Sequence, residues 1–139
     1  GPYQAATETQ LDDFNAFNLL LVEGGHAKIF TNRPQPHIHK QDRGIIALAN
    51  QPAFSPCPRA ERLGQHLSDL CARAADPHDM LAILQRRDDP ALFIAAELYG
   101  TRASTLVMID HQGRAHIIER RYEAGGRSIG TTALKSQIG

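Results

Sequence analysis

Tyr99-Gly100-Thr101-Arg102-Ala103-Ser104-Thr105 sets one arginine in a glycine-containing turn, just ahead of the alternating run Leu106-Val107-Met108-Ile109-Asp110. A guanidinium is charged at every ordinary pH and presents five donors in a fixed fork. At a turn–strand junction among small hydroxylated residues, Arg102 either faces a ligand or decorates the surface. Turned inward, it needs a carboxylate, carbonyl oxygens or a bound anion, because an unpaired buried charge is very costly. Glu97 and Glu119 are the internal candidates, and the ligand would be anionic or carbonyl-bearing.

Two asparagines end predicted strands: Asn32, followed by Arg33, and Asn50. Such an asparagine forms a turn or donates its amide N–H to an oxyanion. Cys57 lies between Pro56 and Pro58, before a predicted helix N-terminus. That position can activate a thiol, but no histidine is adjacent in sequence to serve as base, and packing is the simpler role. Cys71 falls on an apolar helix face and is expected in the core. His37-Ile38-His39 puts two imidazoles on one side of an extended segment. Zinc takes three or four ligands and only Cys57 is within range, so no metal site is expected. There is no Walker loop, no G-x-G-x-x-G and no G-x-S-x-G.

The elements that must position these residues follow from periodicity. Gln4–Phe14 is a candidate short helix. The apolar run 17–23 reads as a strand buried on both faces. Gly24-Gly25 turns it into a return strand over 26–31, and residues 32–42, with two prolines, read as loop. Residues 44–49 read as a third strand. Pro58 suits a first helical position, and Ala60, Leu63, Leu67, Leu70, Cys71 and Ala74 share one face of a helix over 58–75. Asp76-Pro77 starts a second helix over 77–86. Phe93-Ile94 is a brief strand candidate. Strands over 104–110 and 115–122 are joined by the hairpin loop His111-Gln112-Gly113-Arg114, and a weak last strand covers 128–133. Strands joined by hairpins with grouped helices predict an α+β fold, one antiparallel sheet with both helices on one face.

With 139 residues the chain is one domain by length. Gly1-Pro2 reads as the scar of a cleaved affinity tag, so the native segment is expected over 3–139, as a single domain or the C-terminal portion of a longer one. Lys plus Arg and Asp plus Glu balance at 15 each, which removes any global field for nucleic acid or an anionic membrane. No apolar run approaches the roughly 18–20 residues of a spanning helix, and no export signal is visible. Two cysteines are too few for a disulfide framework; they could pair if neighbours in space, but free thiols in a reducing, cytoplasmic setting are expected.

Four blocks occur in order: Phe17-Asn18-Leu19-Leu20-Leu21, Thr31-Asn32-Arg33, Gly44 through Asn50, and Tyr99 through Thr105. A hydrophobic strand, Asp110, a glycine turn and Glu119-Arg120 follow. This order resembles the C-terminal half of the NRDE family, the transport-and-Golgi-organisation proteins with an Ntn-hydrolase-like sequence. The resemblance implies an αββα sandwich, to which this chain would contribute its C-terminal, pocket-completing part. It also implies a cysteine nucleophile near the protein's start, followed by an Asn-Arg-Asp-Glu motif; neither is in this sequence. By the same resemblance Asn50 is the oxyanion donor and Arg102 the pocket arginine, with Asn32, Arg33, Tyr99 and Thr101 around the ligand. Ala49 and Cys57 stand where the pattern calls for serine and tryptophan.

Hydrolysis of an amide or ester by a cysteine nucleophile is the activity such a fold implies, and this chain alone is expected to lack it. The alternative is non-catalytic binding or trafficking of haem or another hydrophobic ligand, with His37 and His39 as possible haem ligands; no cofactor is otherwise expected. A half-sandwich leaves one sheet face apolar, at about 25 cal/mol per Å² exposed. The expected partner is therefore a missing N-terminal segment, a second chain or another copy, besides a small-molecule ligand.

Overall fold

Residue 11, residues 13–23 and residues 25–137 are described by the computed structural model. The chain divides into two compact units, one ending at Gly64 and the other starting at Gln65. Its elements are β1 (Asn18–Glu23), β2 (His26–Thr31), β3 (His37–Gln41), α1 (Pro58–Ala72), α2 (Pro77–Ile83), β4 (Ala103–Ile109), β5 (Arg114–Tyr122) and β6 (Ser128–Gln137). The fold is α+β, with antiparallel strands in two three-stranded sheets, β1-β2-β3 and β4-β5-β6. The single sheet expected from the sequence is thus replaced by two. The helix expected over Gln4–Phe14 falls largely outside the described residues.

In the first unit β2 is the central strand and carries the core, with Ile29, Phe30 and Thr31 all buried. β1 is an edge strand. Its Leu19, Leu20 and Val22 are 42%, 47% and 55% exposed, so the expectation of burial on both faces is overturned. The other edge of β2 is taken by β3, in a segment expected to be loop. Residues 44–49, expected to pair as a strand, form none. They pack without a ladder and are at most half-buried: a side chain added at Gly64 of α1 would meet Ala47 and Ile45. The segment is therefore packed under the first turns of α1, and β3 supplies the ladder partner it was expected to be.

In the second unit the expected alternation of β4 holds, with Ser104 buried and Val107 and Ile109 exposed. β5 is central and buries Ala115, Ile118 and Tyr122. A bulge at Arg121/Tyr122 precedes β6, which is longer than the expected 128–133. α2 starts as predicted: the Asp76 carboxylate accepts from the His78 N–H at 2.7 Å, and Pro77 follows the cap. It packs against β4. Phe93-Ile94 forms no strand. Phe93 instead packs edge-on against Tyr122, ring centroids 4.7 Å apart, and Arg87 lies over its ring. Gly126 has φ +82°, and any side chain there would collide with the Phe93 ring. The β4–β5 turn is tied by Asp110, whose carboxylate accepts from the Gln112 and Arg114 N–H groups and from the Arg114 guanidinium. Those Arg114 bonds above all hold its carboxyl below the usual aspartate range.

One buried amide ties the end of β2 to the chain that leads into β1. Asn32 has no exposed surface. Its Oδ1 accepts from Phe17 N–H at 3.0 Å, and its Nδ2 faces the carbonyls of Leu11, Phe14 and Asn15 at 2.9, 2.9 and 3.1 Å. Asn32→Ala leaves these groups unsatisfied in a dry site and should lower stability by about 2–4 kcal/mol. Urea unfolding of the variant against the parent chain measures this.

Candidate functional site

Asn50 lies in the segment that crosses the first sheet. The Asn18 side chain, at the start of β1, reaches this segment and donates to the carbonyls of Ala49 and Gln51 at 3.0 and 2.8 Å. The carbonyls of the residues before and after Asn50 are thus held by one amide. The Gln51 side chain donates onward to Pro56 O at 3.1 Å, and Ser55 N–H donates to Pro52 O. Asn50 itself is exposed. A fixed backbone with a free side-chain amide is the arrangement an oxyanion donor requires. Asn18 is a positioning residue the sequence reading missed; its one signal is a polar side chain inside an apolar strand.

Asn32, expected at the ligand, has its amide occupied by the four contacts above, and acts on the architecture. Arg33 beside it is exposed and donates from its guanidinium to Asn32 O at 2.9 Å. Cys57 is half-buried; its carbonyl accepts from Glu61 N–H at 2.9 Å as α1 begins. Cys71 is exposed, against the expectation of a core position, because the buried stripe of α1 runs through Leu70 instead.

The faces of the first sheet follow from its register. Asn18 pairs with Thr31 and Thr31 with His37, while Leu20 pairs with Ile29 and Ile29 with His39. Directly paired residues share a face, so His37 and His39 lie on the Asn18 side. His39 packs edge-on against Phe54 of the crossing segment, centroids 5.0 Å apart. The opposite face carries the row Leu19–Phe30–Ile38. There a cleft of about 510 Å³ is lined by Leu11, Phe14, Phe17, Leu19 and Phe30. Among the described residues no three His, Cys, Asp or Glu side chains converge as a metal site would require.

In the second unit the Tyr99–Thr105 block folds back on Ile94. Thr101 N–H donates to Ile94 O at 2.8 Å, and Thr101 Oγ1 accepts from Ile94 N–H at 3.0 Å. A side chain at Gly100 would press to 3.0 Å from Ile94 O, which explains the glycine. Tyr99 is 72% exposed at the tip. Arg102 is anchored by its backbone, its carbonyl accepting from Tyr122 N–H at 2.9 Å. Its side chain is exposed where an inward one was expected. A hydrated guanidinium needs no internal partner, and Glu119 is taken by Thr105 and Arg121. The outer face of this sheet exposes Val107, Ile109 and Leu134.

The sequence profile of the family described as Transport and Golgi organisation 2 matches residues 2–124. The chain belongs to this family. No curated protein sequence matches it. In this Transport and Golgi organisation 2 chain the matched span takes in β1 through β5 and both helices, and ends before β6. It includes the Asn18 clamp, Asn50 and the Tyr99–Thr105 turn. No helix among the described residues is long and apolar enough to cross a membrane.

Asn18→Ala removes both donors that hold the Asn50 loop while leaving the β1–β2 ladder intact. Backbone ¹⁵N order parameters at Asn50 and Gln51 should fall from about 0.85 to below about 0.6, with β2 unchanged.

Proposed function

We propose that this chain is the C-terminal, pocket-completing part of an Ntn-hydrolase-like protein that cleaves an amide or ester through a cysteine nucleophile outside the present sequence. The observation that carries the reading is the Asn18 clamp, which holds the carbonyls of Ala49 and Gln51 on either side of Asn50 and leaves its amide free. On attack the carbonyl oxygen gains negative charge, and the Asn50 N–H would donate to it. Such a donor acts because it is oriented before the reaction begins. Arg102, in the second unit, is proposed on its own as a ligand-facing cation, its guanidinium exposed and its backbone anchored to β5. Arg33 and Tyr99 are exposed and available to a ligand, while Thr101 sets the turn and Asn32 the first unit. Two antiparallel sheets and two helices are the element types an αββα sandwich needs. The apolar outer face of β4-β5-β6 suits a covering partner: a preceding segment, a second chain or another copy. Two free cysteines suit a cytoplasmic setting.

The test compares this chain with a longer form beginning at the cysteine the family pattern requires, on a chromogenic ester. This chain should show no hydrolysis above buffer. In the longer form Asn50→Ala should lower kcat by about 10²–10³-fold, the usual effect of losing one oxyanion donor. Hydrolysis by this chain that iodoacetamide abolishes through Cys57 would assign the nucleophile to Cys57 instead.

A second reading, non-catalytic binding of a hydrophobic ligand such as haem, is favoured by the apolar cleft on the Phe30 face, whose volume suits a small ligand. His37 and His39 lie on the other face, so a ligand in this cleft would bind without them. In a haemin titration followed by absorbance, saturable binding should survive in His37→Ala/His39→Ala. Loss of binding in that variant would move the ligand to the opposite face.

A further inference from the structure

We propose that the Phe30 face of the first sheet binds a single-chain amphiphile with an anionic head, of which a fatty carboxylate is the simplest, the tail in the cleft and the head at Lys28 and Lys40. This rests on the hydrophobic-ligand reading and names its ligand class.

The register orders this face into rows. Leu19, Phe30 and Ile38 form one; Leu21, Lys28 and Lys40 form the next; Glu23 and His26 follow, with Asp42 just past the end of β3. Successive rows are about 6.8 Å apart along the strand, two residues of rise. The apolar row and the basic row are therefore immediate neighbours. Leu21 continues the apolar floor up to the two ammonium groups.

Lys28 and Lys40 are directly paired across β2 and β3. Like charges so placed repel, and an anion between them turns the repulsion into two attractions. Neither lysine has an ion-pair partner among the described residues. The acid on β3's side of the next row is engaged: Asp42 Oδ1 lies 2.8 Å from His26 Nδ1. A recess of about 340 Å³ is lined by Leu21, Lys28 and Lys40, with Glu23, His26 and Asp42 at the end away from the apolar row. It adjoins, row to row, the 510 Å³ cleft over Leu19 and Phe30. A neutral head would gain a hydrogen bond but no charge pairing at the lysines, and a cationic head would be repelled.

The test is calorimetric titration of this chain with laurate and with dodecanol, below the onset of micelles and at low ionic strength. Laurate should bind saturably and more tightly than dodecanol. Lys28→Gln/Lys40→Gln should weaken laurate about tenfold, leave dodecanol unchanged, and keep the circular dichroism of the parent. Lys28→Arg/Lys40→Arg should retain laurate binding. If laurate and dodecanol bind equally, or the glutamine variant binds laurate as the parent does, the head-group assignment is wrong while the cleft reading stands. If neither compound binds, the cleft reading fails and this assignment with it.

Discussion

A single dry amide organises the first unit. Asn32 ends β2, and its side chain is oriented so that one oxygen meets the N–H of Phe17 and one nitrogen faces three carbonyls from residues 11–15. Buried peptide groups without partners cost about 1–3 kcal/mol each, and here one side chain serves four of them. It therefore sets where the chain enters β1. The position of β1 in turn sets where Asn18 can reach, and Asn18 decides how the Asn50 segment lies. The chain of dependence runs from a structural amide to a candidate functional one through backbone N–H and carbonyl groups.

The two-residue period of a strand divides the chemistry of the first sheet. One face carries Asn18, His37 and His39, beneath the crossing segment with Phe54. The other carries Leu19, Phe30, Lys28 and Lys40. The neighbours His39 and Lys40 thus belong to different surfaces. The second unit uses the same alternation differently: Ser104 and Ile118 are buried, while Val107, Ile109 and Leu134 remain outside.

What the sequence discloses is what burial enforces. β1, β2, β4 and β5 stand close to where their apolar residues place them, and α2 begins at its Asp-Pro signal. β3 escapes because His37-Ile38-His39-Lys40-Gln41 holds one apolar residue; it is a strand because β2 has a free edge. Residues 44–49 mislead for the opposite reason, being apolar enough to pair yet packed against α1 without a ladder. The exposure of β1 is equally illegible, since an apolar run does not say what will cover it. At the candidate site, Asn50 and Arg102 are legible as residue types, and the exposure of both is not. Asn18 is hidden in an apolar run, and its role exists only once the crossing segment lies over the sheet.

The pairing of β2 with β3 has a consequence for how this sequence can change. Residues 32–36 join the two strands, and the ladder depends on which residue of β3 faces Phe30. One residue inserted in that connection would slide β3 by a single position. Because side chains alternate, every group on β3 would then change sides. His37 and His39 would come to the apolar cleft, and Lys40 would leave Lys28. A single codon therefore separates a cleft bordered by two ammonium groups from one bordered by Lys28 and imidazoles, with Ile38 lost from its apolar row.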